Sequence, residues 1–486
     1  MAPRPTAFLG IDIGSSELRV GLVTADGRLL GLERASHEMD VDADRGIAEQ
    51  DADAWWAGLV KTVRELVGRV DADVAGIAVD GHGPTLTPVD RRGRPTRRAI
   101  TWLDRRAGPE QDELSRETGL RGWALGVLPA ALWVERHESE TAARTSWYLN
   151  SWEAMTLRLT GAARASLVAD QVWPSTATLA ALGLPSARLA QPINAGEIVG
   201  TLSPDAASAL RLTAGTPVVA GVVDAFASFH GARMLGAGDA IDVGGSAGGF
   251  GVYWDRPVTA AGSFTTPAPL AGHYVVGGAM AATGKALEWL RDAVLGGETA
   301  ADVLIDEAAR IQPGANGLIF LPYLAGERSP IWDPDARGAF VGLTLRHGRA
   351  HLARAVLEAT ALAIRHVADP ILGGGVRVSA MRVAGGPARS DAWNQIKADV
   401  TGFPVEVPRI LETAVAGSAI LAATGTGAHP NLGAAIAAMT TIERRLEPDP
   451  EQAPIYDRTY AAYTSLHPAI APILRSLRPS EAALGR

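Results

Sequence analysis

One short pattern occurs twice in this 486-residue chain and narrows its possible folds more than any other feature. Ile11-Asp12-Ile13-Gly14-Ser15-Ser16 and Ile241-Asp242-Val243-Gly244-Gly245-Ser246 are both apolar strands that carry one Asp. Each then turns on glycine and serine and resumes as a strand. A Gly-Ser turn bares backbone N–H groups that can cradle an anion. Either copy alone is a common turn. Recurrence near the start of each half predicts two related domains, each offering a phosphate-holding hairpin. The length agrees, since one core seldom fills so long a chain. The expected domains are residues 1–235 and 236–486, with a hinge at 231–238.

The stretch 214–250 joins the halves. It reads as a buried strand, Val218 to Val223, then Asp224, a small-residue helix, a second strand at Ala240 to Val243, and the glycine loop. A lone acid at the carboxyl tip of a strand lies where α/β sheets keep their chemistry. An acid that could take a proton, close to a loop that could hold phosphate, suggests phosphoryl transfer. The plainer alternatives are Asp224 as a helix N-cap and Asp12 as a brace for its own turn. Elsewhere, Asp53 to Val67 has helical spacing, and Val74 to Val79 is a strand ending in Asp80-Gly81-His82-Gly83-Pro84-Thr85. Met381 to Ala384 is a strand followed by Gly385-Gly386 and an amphipathic helix from Asp391 to Thr401 that Gly402 stops.

Composition removes several function classes. With no cysteine there is no disulfide, thiolate metal site or cysteine nucleophile. The formal charge is −8 and the basic residues are scattered, so no nucleic-acid surface is expected. No apolar run reaches membrane-spanning length, and the expected location is the cytoplasm. The loop Gly244 to Gly249 lacks the G-x-G-x-x-G spacing and runs into a strand-like segment, which argues against a dinucleotide-binding oxidoreductase.

The most specific stretch is Gly385-Gly386-x-x-x-Ser390-x-x-Trp393-x-Gln395-x-x-Ala398-Asp399-x-x-Gly402-x-Pro404-Val405. Together with Asp12-Ile13-Gly14-Ser15-Ser16, Asp224, Gly245-Ser246 and Gly284, it resembles the FGGY family of carbohydrate kinases over nearly the whole chain. The resemblance implies an α/β, two-domain actin-like ATPase (ribonuclease H-like) fold with a cleft between domains. It further implies ATP and Mg²⁺, and it is compatible with a homodimer. On this resemblance Asp224 is the catalytic base and a sugar contact, and Asp12 holds Mg²⁺ through water. Gly14, Ser15, Ser16, Arg19, Gly245, Ser246, Gly284, Gly385, Gly386 and Ser390 line the nucleotide and its phosphates. His82, Gly83 and Asp104 fall on the sugar side. For Arg19, His82 and Asp104 a purely solvated role stays open.

The chain looks most like the xylulokinase branch, which implies a ketopentose substrate. Ribulose, erythritol or glycerol kinases are alternatives, as is an actin-like ATPase module that phosphorylates no sugar. Two departures bear on the sugar. Pro129-Ala130-Ala131-Leu132-Trp133 lacks a family lysine, and Gly83-Pro84 stands where xylulokinases place Met-His. The second change leads to the expectation that D-xylulose is a secondary substrate.

Overall fold

The structure is a computed structural model that describes residues 3–42, 45–168, 171, 173–245 and 247–477. The chain divides into two compact units. The first comprises Met1–Leu235, Pro267–Ala271 and Glu412–Thr441, and the second comprises Gly236–Thr266, Gly272–Leu411 and Ile442–Arg486. A late segment, 412–441, therefore belongs with the first unit.

In the first unit a six-stranded sheet runs in the order Ile198–Thr201, Pro217–Val219, Asp73–Gly81, Thr6–Ile13, Glu17–Thr24, Leu29–Ser36. The three amino-terminal strands form an antiparallel meander, and Asp73–Gly81 lies parallel to both Thr6–Ile13 and Pro217–Val219. Alternation sets the two faces of the first strand. Ala7, Leu9, Ile11 and Ile13 join the core with Trp55, Leu59, Val63 and Leu66 of the Ala52–Arg69 helix. That helix starts where Asp51 accepts a hydrogen bond from Asp53 N–H.

The opposite face is covered by the helix Thr413–Gly425 at unusually close range. A Cβ on Gly10 would lie 2.0 Å from the Val415 carbonyl oxygen, and one on Gly417 would lie 1.8 Å from that of Ala227. Glycine at both places lets this helix rest on the sheet and on the helix Asp224–Gly231. The strand expected over Val218 to Val223 is shorter than its apolar run, ending at Val219. Beyond it, Gly221 passes so close to Val79 that a Cβ would fall 1.8 Å from the Val79 carbonyl oxygen, and only a single bridge, Gly81 to Val223, remains.

The second unit carries a seven-stranded sheet in the order Phe264–Pro267, Tyr274–Met280, Gly248–Trp254, Asp239–Val243, Ala380–Ala384, Val405–Pro408, Ile442–Leu446. Asp239–Val243 runs antiparallel to Gly248–Trp254, which runs antiparallel to Tyr274–Met280. On its other side Asp239–Val243 is parallel to Ala380–Ala384, and that strand is parallel to Val405–Pro408. The meander, two parallel strands and an antiparallel edge repeat the order seen in the first unit. The recurring hairpin thus opens two sheets of matching order, to which the second adds the edge strand Phe264–Pro267. Among the described residues no helix is long and apolar enough to cross a membrane.

Candidate active site

In the first unit, strand register builds a row of charges on the face that Thr413–Gly425 covers. Asp80 pairs with Asp12 across the parallel ladder, Asp12 with Arg19 across the first hairpin, and Arg19 with Arg34 across the next. Arg19 Nη1 donates to Asp12 Oδ2 at 3.0 Å. The same guanidinium lies 2.9 Å from Glu17 and 3.5 Å from Glu412, and Glu412 also pairs with Arg34. Arg19 is therefore surrounded by carboxylates, with its side chain 30% exposed.

Asp80 and Asp12 are both buried, and Ser418 Oγ donates to Asp80 Oδ2 at 2.5 Å. Their remaining oxygens, Asp12 Oδ1 and Asp80 Oδ1, take no hydrogen bond from any further residue among the described ones, and the two carboxyls hydrogen-bond to each other. Burial raises both carboxyls, and the Arg19 charge opposes that rise at Asp12. Asp80 is pushed well above the usual range, first by burial and then by the Asp12 charge beside it.

Asp224 is the first residue of the helix that follows the Pro217–Val219 strand, and its Oδ1 accepts from Ala225 N–H at 2.7 Å. Burial and the charge of Asp12 raise its pKa to about 7. Burial first, and the neighbouring acid after it, place this carboxyl where it can exchange a proton near neutrality.

The expected sugar-side residues sit on the same unit. His82 is buried with its ring edge-on to Trp55 at 5.5 Å, and its Nδ1 is 2.8 Å from Thr85 Oγ1. Its Nε2 is buried with no partner among the described residues, and burial pulls its pKa down to about 3. The ring is thus neutral, and one nitrogen is left to recognise something else. Gly83 packs under Trp152, where a Cβ would come 2.8 Å from the indole. Asp104 is fully engaged: it accepts Ala48 N–H at 2.9 Å and pairs with Arg106 at 2.7 Å. Of the first hairpin, Gly14 N–H closes the turn onto the Glu17 carbonyl at 3.0 Å, Ser15 is half-buried and Ser16 is exposed.

In the second unit the glycines come together at strand ends. Gly284 N–H donates to the Gly245 carbonyl at 2.9 Å, and a Cβ on Gly284 would fall 2.5 Å from that oxygen. Gly385 has φ 74°, and a Cβ there would lie 2.1 Å from the Gly244 carbonyl oxygen. Packing thus accounts for glycine at 284 and 385. At Gly386 a Cβ would meet nothing within 4 Å among the described residues. Ser390 caps the Asp391–Thr401 helix, with its Oγ accepting from Trp393 N–H at 3.2 Å. Ser246 lies outside the described residues.

Asp242, the counterpart of Asp12 in the recurring pattern, has a different fate. Lys397 Nζ lies 2.6 Å from its Oδ2, both side chains are buried, and the ammonium sits over the Trp393 ring. Its charge is spent inside the core. Sequence reasoning passed over this pair and also Asp80, Glu412 and Ser418. The one signal for Asp80 was its place at the tip of a strand beside the loop expected to meet the sugar.

The comparisons agree with this assembly. Residues 7–231 match the model of the FGGY family of carbohydrate kinases, N-terminal domain, and residues 240–426 match that of the C-terminal domain. Xylulose kinase from Escherichia coli (strain K12) is 32% identical over 422 residues, 81% of this chain and 85% of that protein. Gluconokinase from Bacillus licheniformis is 27% identical over 500 residues, 95% of this chain and 96% of that protein. The crystal structure of xylulose kinase from Rhodospirillum rubrum superposes with a TM-score of 0.80 at 28% identity, covering 96% of this chain and all of that one (100%). Acids at strand ends in one sheet and glycine turns in a second sheet of the same order fit that family, and this chain belongs to the FGGY carbohydrate kinases, ATP-dependent phosphotransferases of the two-domain actin-like ATPase fold.

Proposed function

We propose that this kinase transfers the γ-phosphoryl group of ATP to a hydroxyl of a neutral ketose, with a ketopentose as the first candidate and a polyol as the second. The observation that carries this reading is the ensemble of Asp12, Asp80 and Asp224, beside which Arg19 is, among the described residues, already matched by Asp12, Glu17 and Glu412. Arg106, beside Asp104, is likewise paired with Asp104 and Glu49. Among the described residues neither guanidinium is left to pair with a substrate carboxylate, and Asp224 once ionised would repel one, so an aldonate is disfavoured and a neutral sugar is not. The 32% identical xylulose kinase supports the ketopentose, while the gluconokinase relative supplies the reading to be tested against it.

Phosphoryl transfer asks for in-line placement and charge neutralisation more than for covalent help. Asp224 accepts the proton of the attacking hydroxyl as the new O–P bond forms, and ADP leaves with the electrons of the broken P–O bond. His82, neutral with one buried nitrogen unpartnered, is the proposed contact to a second hydroxyl. The glycine turns of the second unit, Gly245, Gly284, Gly385 and Gly386, are the proposed wall for the nucleotide.

Mg²⁺ fits the residues present. Asp12 Oδ1 is a buried hard oxygen with no donor among the described residues other than the Asp80 carboxyl. The described residues hold no cluster of three His, Cys, Asp or Glu in metal-holding geometry. That suits an ion that keeps most of its waters and is held by one or two carboxylates and the substrate phosphates. When bound, Mg²⁺ supplies positive charge to the transferred phosphoryl oxygens. A coupled ADP-release screen over D-xylulose, D-ribulose, erythritol, glycerol and D-gluconate tests the reading. A neutral sugar or polyol should give the highest kcat/KM. Gluconate at the top of the screen, or ADP release indifferent to any sugar, would sink it.

A further inference from the structure

The loop Gly14-Ser15-Ser16 offers an anion two backbone donors and no free carbonyl, and the reason lies in side chains far from it in sequence. Every carbonyl from Ile13 to Glu17 is already taken. The Ile13 oxygen accepts His82 N–H at 2.8 Å, the Ser16 oxygen accepts His37 N–H at 3.0 Å, and the Glu17 oxygen accepts Gly14 N–H at 3.0 Å. The two between them depend on side chains: His37 Nε2 lies 2.8 Å from the Gly14 oxygen, and Gln50 Nε2 donates to the Ser15 oxygen at 2.6 Å. Trp102 Nε1 also donates to Ser15 Oγ at 3.2 Å. Ser15 N–H and Ser16 N–H, by contrast, make no hydrogen bond among the described residues.

We propose that His37 and Gln50 are positioning residues for nucleotide phosphate, holding the Gly14 and Ser15 carbonyls back so that the hairpin meets an anion with N–H groups alone. The proposal rests on the kinase reading above, in that the anion is a phosphate of ATP. A tight Gly-Ser turn can rotate its peptide planes cheaply, and one outward carbonyl would set an oxygen against the phosphate. Both tethers fix that rotation from outside the turn. Gln50 must present its amide nitrogen, because the reversed amide would oppose two oxygens. His37 must carry a proton on Nε2, because the Gly14 oxygen facing it can only accept. Neither residue touches the acid row, so their loss leaves the proposed proton acceptor in place.

The test is calorimetric binding of ATP and of adenosine, which lacks the phosphates, to His37→Leu, Gln50→Leu, Gln50→Glu and His37→Gln. Losing a tether should weaken ATP at least about tenfold, the scale of one unmet polar contact, and leave adenosine within about twofold of the wild-type chain. His37→Gln restores an N–H donor and should recover most of the ATP affinity. Gln50→Glu keeps the side-chain volume while replacing the donor with an oxygen, so it should show the same split even where a leucine variant fails to fold. ATP affinity within twofold of wild type in the folded variants overturns the proposal, and so does a parallel fall of ATP and adenosine. The kinase reading fails separately: wild-type chain that phosphorylates no sugar would strike it and leave the ATP-over-adenosine split to be judged by itself.

Discussion

Asp224→Asn, followed across pH, gives the sharpest test of the chemistry. Burial and the Asp12 charge set the Asp224 pKa at about 7, so the carboxylate proposed to accept the proton is half formed at that pH. About a tenth of it is ionised one unit lower and about nine-tenths one unit higher, by simple titration around that value. In the wild-type enzyme, kcat/KM for the sugar should therefore fall on the acid side with a midpoint near 7 and approach a tenfold loss per pH unit below about 6. Asparagine cannot take the proton. The variant should lose roughly a hundredfold or more at pH 8 and show no such limb.

Stability separates this from misfolding. A carboxyl whose folded pKa lies above its unfolded value binds its proton more tightly when folded. Ionising Asp224 thus costs the native state, a cost absent below about pH 4, growing from there to about 7, and complete above it. Asp224→Asn should be at least as stable as wild type at pH 8. A wild-type midpoint near 4, or a variant with near-normal turnover, would refute the assignment of the base.

Four substitutions probe the second unit by calorimetry and ATP binding. Lys397→Met strands Asp242 in the core, where breaking a buried pair costs ~3–5 kcal/mol, and should lower the melting temperature of that unit by roughly 6–20 °C. Adding Asp242→Asn should recover part of the loss, and simple additivity of the two changes would remove the buried-pair account. Gly385→Ala forces a side chain onto φ 74° and onto the Gly244 carbonyl, so about 1–3 kcal/mol of strain should appear. Gly386→Ala meets open space and should keep the melting temperature while weakening ATP. A Gly386→Ala variant with normal ATP affinity would take that glycine out of the nucleotide wall.

Part of this protein can be read along the chain because the signals are local. The hairpin at Asp12 to Ser16, its partner at Asp242, the strands Thr6–Ile13 and Tyr274–Met280, and the helix Asp391–Thr401 each carry their own periodicity and stops. Ser390 and Gly402 bound that helix at the two residues where its caps are found. Asp224 stood out because an acid after an apolar run is legible without knowing its neighbours.

The remaining features depend on which strands lie side by side. Asp80 becomes part of the site only because a parallel register sets it beside Asp12, and nothing in Val79-Asp80-Gly81 specifies that register. The helix Thr413–Gly425 is buried along nearly all its length, so it has no polar face and no stripe for periodicity to find. Its return to the first unit nevertheless supplies Ser418 to Asp80 and places Glu412 against Arg19. The two Asp residues of the recurring pattern look equivalent in sequence. In the fold one lies beside a second acid and under a shared guanidinium, and the other is neutralised by a buried lysine. Charge environment is a property of three-dimensional neighbours, so only the tertiary structure could decide between them.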